Sequence, residues 1–154
     1  MPSLRSTSGL LVILAVCATG CALFQRGEPR QEPVHLRVTA GPRLNPDEHG
    51  VSLPTAVQAY QLKSGQKFAA LELTDLLRDP KGLLGEDLLG LEELQLEPGR
   101  TVERTFARAK GALFVGVVAV VRRPAGGAWR QVVELPEGPA DLGFAIEEYR
   151  IQRR

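Results

Sequence analysis

The spacing of the turn residues constrains this chain most. From Val34 onward, short apolar runs are cut by Gly, Pro, Asn and Asp roughly every 8–12 residues, the rhythm of a sandwich of short strands. Val34–Ala40 (Val-His-Leu-Arg-Val-Thr-Ala) alternates apolar and polar and predicts a half-buried strand. Thr55–Lys63 predicts a second. Leu91–Leu96 and Thr101–Ala107 flank Pro98-Gly99, a turn signal that predicts a hairpin. Ala112–Val121 carries no charge and reads as a strand covered on both faces. It is too short for a helical membrane span, which takes about 20 residues. Trp129–Glu134 and Leu142–Ile151 supply the last two strands, with Trp129 as core or strand-edge packing. These are about seven strands, a mainly β fold. A parallel α/β fold is excluded because long helices do not alternate with the strands.

A short helical insert interrupts the strands. Ser64–Leu71 and Thr74–Arg78 read as helical turns, with Ser64 and Thr74 as N-caps. Asp79-Pro80-Lys81-Gly82 breaks the pattern, and Leu83–Gly90 reads as a further turn of helix.

The chain starts with an address. Met1–Ser8 is polar with one positive charge, Arg5, and Leu10–Ala18 is an uninterrupted apolar run. That matches the charged and apolar regions of a signal peptide. Ala18-Thr19-Gly20-Cys21 then looks like a bacterial lipobox, with cleavage before a Cys21 that carries diacylglycerol. An ordinary secretory signal and an uncleaved anchor are the alternatives. Residue 22 is Ala rather than Asp, which by resemblance to enterobacterial sorting implies the outer membrane. The expected division is a signal peptide over 1–20, a lipidated Cys21 with an extended tether over 21–33, and a domain over 34–154. Pro29, Pro33 and Gly27 keep the tether extended. With Cys21 acylated, no disulfide remains available.

Charge and motifs narrow the function. The 19 Lys+Arg balance 18 Asp+Glu, so nucleic acid is not an expected partner. No nucleophile elbow and no phosphate-binding Gly-rich loop occurs. His35 falls on the polar face of the first strand, a surface position. Asp47-Glu48-His49 lacks a second His/Cys cluster and reads as a polar turn, not a metal site. No catalytic residue, metal, cofactor or small-molecule substrate is expected. A lipid-anchored hydrolase would need His35 or His49 beside Ser52 or Ser64 in a deep polar pocket. The sequence leaves open whether the basic terminus Arg150–Arg154 is ordered; contact with anionic headgroups is one reading and a frayed end the commoner one.

Gly41–Pro54 is the one long connection, rich in Gly, Pro, Asn and Asp. Long ordered loops are often functional, and proline stiffening reduces the entropy lost on binding. Leu44, Val51 and Leu53 are expected to be exposed apolar anchors.

Several stretches resemble one family. Val38-Thr39-Ala40 running into Leu44-Asn45-Pro46-Asp47 is similar to the TssJ (SciN-like) lipoproteins of type VI secretion systems. So are Tyr60-Gln61-Leu62-Lys63 with Phe68, and Leu83-Leu84-Gly85 through Leu94 with Leu96-Glu97-Pro98-Gly99. Val115-Gly116-Val117-Val118-Ala119 with Arg122, and then Trp129-Arg130, complete the order over about residues 34–136. The resemblance implies a transthyretin-like β-sandwich, held by acyl chains on Cys21 at the periplasmic face of the outer membrane. It implies no enzyme activity. It also implies a partner, the periplasmic C-terminal domain of a TssM-like inner-membrane protein, and a role in assembling the secretion membrane complex with TssL. The family's contact loop maps onto Gly41–Pro54, which marks Leu44, Asn45, Pro46, Asp47 and His49 as partner-binding residues. The alternative is another periplasmic sandwich lipoprotein, pilotin-like or a carrier.

Overall fold

The computed structural model describes residues 31–154, and Gln31–Arg154 forms one compact unit. The signal peptide, Cys21 and most of the tether lie outside the described residues. Eight strands form: β1 (Pro33–Leu44), β2 (Thr55–Leu62), β3 (Leu88–Leu96), β4 (Thr101–Ala107), β5 (Phe114–Ala119), β6 (Arg130–Glu134), β7 (Ala140–Glu148) and β8 (Arg150–Arg153). Three short helices, α1 (Gln66–Ala70), α2 (Leu73–Arg78) and α3 (Pro80–Leu84), lie between β2 and β3. No helix among the described residues is long and apolar enough to cross a membrane.

The strands form two four-stranded sheets, β4-β1-β7-β8 and β3-β2-β5-β6. β1 and β7 run parallel, and every other neighbouring pair runs antiparallel. Alternation in β1 turns Val34, Leu36, Val38 and Ala40 into the core beside Leu142, Phe144 and Ile146 of β7. The other face of this sheet carries a cross-strand row of polar pairs. His35 Nδ1 lies 2.9 Å from Thr105 Oγ1, Arg37 pairs with Glu103 at 2.7 Å, and the Thr39 and Thr101 hydroxyls are 3.0 Å apart.

The second sheet is covered on both sides. One face meets the first sheet, where buried Gln61 bonds across the gap: its Nε2 donates to Ala107 O (3.1 Å) and its Oε1 accepts from Ala109 N–H (2.7 Å). The other face meets the helical insert. Phe68 stacks against Tyr60 with ring centroids 5.2 Å apart, and its ring fills the space above Gly116. Val115–Ala119 is therefore buried throughout, which agrees with a strand enclosed on both faces. The helices have only five or six residues each, below the length that is stable alone. Burial of Phe68, Leu73, Leu76 and Leu84 holds them. Trp129 is buried as expected, with the Arg130 guanidinium 4.6 Å from its ring centre.

Several local expectations are corrected. β3 and β4 are not a hairpin: they belong to different sheets. The Gly99 N–H donates to Gly41 O (3.1 Å) and Ala40 N–H to Arg100 O (2.7 Å), so the turn feeds the chain onto β1. Thr74 sits inside the first turn of α2, whose N-cap is Glu72. Ser64 Oγ accepts only a long bond from Gln66 N–H (3.4 Å), and Gly65 is the α1 N-cap. Asp79-Pro80 starts a helix: the Asp79 carboxylate accepts from Gly82 N–H (2.8 Å), and Pro80 occupies a first-turn position that needs no donor. Helix ends at Leu84, a 3₁₀ turn covers Gly85–Asp87, and β3 starts at Leu88. The basic terminus is strand β8, paired to β7.

Strand direction gives the sandwich two distinct ends. At the root end the chain comes in at Gln31, β1 begins beside the end of β4, and β7 begins beside β1. At the far end β1 delivers the β1–β2 loop. The register shift against β7 between Ala40 and Leu44 absorbs two of the eleven residue steps of β1, so about nine steps at about 3.3 Å each place that loop about 30 Å from the root.

Candidate functional site

β1 extends past Ala40 to Leu44, so the loop proper is Asn45–Pro54, shorter than expected. Gly41 and Pro42 sit in a register shift between Ala40 and Leu44, where a residue without an N–H removes no ladder bond. The chain then rejoins the sheet at Leu44, opposite Glu148.

The loop is braced from both sides. Asn45 takes a positive φ of 44°, a conformation its short amide side chain tolerates. Its N–H donates to Glu148 O (2.8 Å), and its side-chain oxygen accepts the Arg122 N–H (2.8 Å). Pro46 O accepts the Tyr149 hydroxyl (2.5 Å). Asp47 Oδ1 accepts two amide donors, His49 N–H (2.9 Å) and Val51 N–H (2.8 Å), which closes the tip as an Asx-type turn. Gly50 completes the tip at φ 79°. Ser52 Oγ donates to Pro42 O (2.7 Å), and Leu53 N–H to Leu44 O (3.0 Å). Glu48 pairs with Arg122 at 3.1 Å.

These contacts divide the five expected binding residues. Leu44 is fully buried, which corrects the expectation of an exposed anchor. Its neighbours Asn45 and Pro46 are also buried. They shape the loop and present no side-chain surface. Asp47 is half-buried with its carboxylate committed to the turn. His49 is exposed, beside exposed Glu48 and Val51, the latter 56% exposed. Leu53 is half-buried. The tip is a small mixed surface with one apolar and several polar groups. Tyr149 and Glu148, about a hundred residues away in sequence, brace the loop; nothing in the sequence marks them. His35 lies at the root end, bonded to Thr105 and remote from Ser52.

Fold and loop together define a class: a transthyretin-like, two-sheet β-sandwich with one braced connection at the end opposite its N-terminal root. Residues 32–152 match the family model described as type VI secretion lipoprotein, VasD, EvfM and TssJ, and the chain belongs to that family of secretion-machinery lipoproteins. It is similar to the crystal structure of the lipoprotein TssJ1 from Pseudomonas aeruginosa, at 26% identity and a TM-score of 0.72, over 80% of this chain and 97% of that one. It is also similar to Serratia marcescens Lip, described as a membrane-bound component of the type VI secretion system (22% identity, TM-score 0.75, 80% and 97% covered). A third match is a chain in the structure described as the TssM C-terminal domain from EAEC (23% identity, TM-score 0.66, 80% and 98% covered). No curated protein matches the chain in sequence.

Proposed function

We propose that this chain is an outer-membrane lipoprotein on the periplasmic face, anchored by acyl chains on Cys21, that captures the periplasmic C-terminal domain of a TssM-like inner-membrane protein. Residues 1–20 are its signal, 21–33 its lipidated start and tether, and 34–154 its adaptor domain. It works by binding and performs no chemistry. The observation that carries this reading is the polarity of β1. One strand runs from the root, where the tether joins, to the loop, so the loop is held about 30 Å from that root. Family membership supplies the secretion setting, and the similar chain in a structure described by a TssM domain supports the choice of partner.

In this reading Leu44, Asn45 and Pro46 position the loop, Asp47 closes it, and His49 with Val51 makes contact. A preformed tip loses little conformational entropy on binding. The test uses residues 21–154 with Cys21→Ser and the TssM-like periplasmic domain from the same organism, with binding measured by calorimetry. Binding that weakens at least tenfold in a His49→Ala/Val51→Asp double variant supports role and site. Equal binding by both moves the site off the loop. No binding by the folded parent chain overturns the adaptor role.

A further inference from the structure

The root end carries apolar surface that the loop-based reading does not use. Leu113 is 53% exposed, a large apolar side chain left in water. It sits beside the incoming chain: Arg108 N–H donates to Glu32 O (2.8 Å), and Arg108 Nε donates to the carbonyl of Ala112 (2.9 Å), the residue before Leu113. Leu113 N–H donates to Leu62 O (2.9 Å), and Leu62 pairs with Leu88. Leu88 opens an apolar groove of about 360 Å³ that Leu89, Leu91 and Pro80 line, with Lys81 at its rim. Leu113 and the Leu88–Leu91 groove thus lie to either side of buried Leu62 at the end where the chain comes in.

The lysines are segregated in the same way. The sequence has four, Lys63, Lys67, Lys81 and Lys110, and all are exposed. Lys63 and Lys110 lie on root-end connections, Lys81 borders the leucine groove, and Lys67 pairs with Asp87 (3.2 Å) beside Leu88. The basic residues of the loop end, Arg43, Arg100, Arg122 and Arg123, are all arginines. Lysine stems cover apolar surface while their ammonium groups reach up to a polar layer. Exposed leucine with lysines at the same end suits the boundary between acyl chains and headgroups. Glu86, Asp87 and Glu137 share this end, so apolar contact and not net charge is the attraction.

We infer that the root end is a membrane-contact face. Leu113 and the Leu88–Leu91 groove rest on the phospholipid bilayer to which the chain is tethered, and this contact stands the sandwich upright with the β1–β2 loop pointing away. The inference rests on the anchored-lipoprotein reading. Cys21 lies only ten residues before Gln31, within reach of such a contact.

The test supplies the anchor chemically, so its result is independent of acylation in the cell. Residues 21–154 have one thiol, Cys21, which is coupled to a maleimide-bearing phospholipid in phosphatidylethanolamine/phosphatidylglycerol vesicles. Indoles are introduced separately by Leu113→Trp and Val51→Trp, and the vesicles carry lipids brominated on their acyl chains. Buried Trp129 gives the same background in both proteins. The expected result is a blue shift and a loss of emission for Leu113→Trp on coupling, with Val51→Trp unchanged. No change for Leu113→Trp, or equal loss at both positions, overturns the inference. Failure of the anchoring reading shows separately, as unchanged envelope fractionation of the Cys21→Ser lipoprotein in cells.

Discussion

Asn45→Ala tests whether the loop is held by its base. Asn45 does two main things that alanine cannot: it tolerates a φ of 44°, and its side-chain oxygen accepts the Arg122 N–H at 2.8 Å, while its Nδ2 adds only a long 3.5 Å bond to Thr55 Oγ1. Forcing alanine into the left-handed region costs about 1–2 kcal/mol. Removing the acceptor costs about 1 kcal/mol, the low end for a donor that is only partly buried. The expected loss is about 2–3 kcal/mol by urea denaturation, or roughly 10 °C in Tm for a domain of this size. Asn45→Gly separates the two contributions. Glycine accepts the backbone conformation and adds only about 0.5–1 kcal/mol of unfolded-state entropy, so it is expected to be the milder change. Partner binding is expected to weaken in Asn45→Ala although the side chain is buried, because the tip loses its fixed base. Val51→Asp is expected to weaken binding with stability within about 0.5 kcal/mol of the parent. A loss below about 0.5 kcal/mol for Asn45→Ala, or glycine worse than alanine, refutes the assignment of Asn45 as the keystone of the loop.

Other predictions follow from packing and ionisation. Gly116→Ala places a Cβ 2.5 Å from the buried Phe68 ring; overpacking of this kind costs about 1–3 kcal/mol, read as a shifted urea midpoint. Gly41→Ala meets only the exposed Glu147 carboxylate, which swings aside, so its midpoint is expected to stay within about 0.5 kcal/mol of the parent. The Tyr60 hydroxyl is pushed up to about 12, first by burial and then by the neighbouring Glu93 carboxylate. The folded state therefore keeps a proton that the unfolded state releases near its ordinary value of 10.0. Its contribution is complete below that value and declines as pH rises towards 12. Denaturation at pH 9, 10, 11 and 12 checks the sign, and Tyr60→Phe is expected to flatten that part of the profile.

The sequence makes most of the strands legible because each alternates against one fixed core. Val34–Ala40 is read correctly since the same period of two that marks it also buries it. What fails is partner choice. Pro98-Gly99 predicts a turn and a turn forms, yet the residues do not encode which sheet the next strand joins. β4 pairs with β1 because that closes the first sheet over Phe106 and Val34. The end of β7 is hidden for another reason: the reversal at Glu148 uses a positive φ of 52° in a residue that gives no turn signal. The same applies to the site. Leu44 looks like a loop residue because Gly41-Pro42 precedes it, and only the sheet bulge returns it to the core.

These misses meet at one place. Glu148 reverses the chain, offers its carbonyl to Asn45 N–H, and sets Tyr149 against Pro46 O. The irregular end of β7 is therefore also the brace of the β1–β2 loop. Because β7 runs parallel to β1, it starts beside the root and finishes beside the loop base. Two neighbouring strands thus connect the root to the loop, one carrying the loop and one clamping it. Pull applied between tether and partner would load these strands along their lengths, across hydrogen bonds that share the shear. A loop mounted at the end of a single strand would not share load in this way.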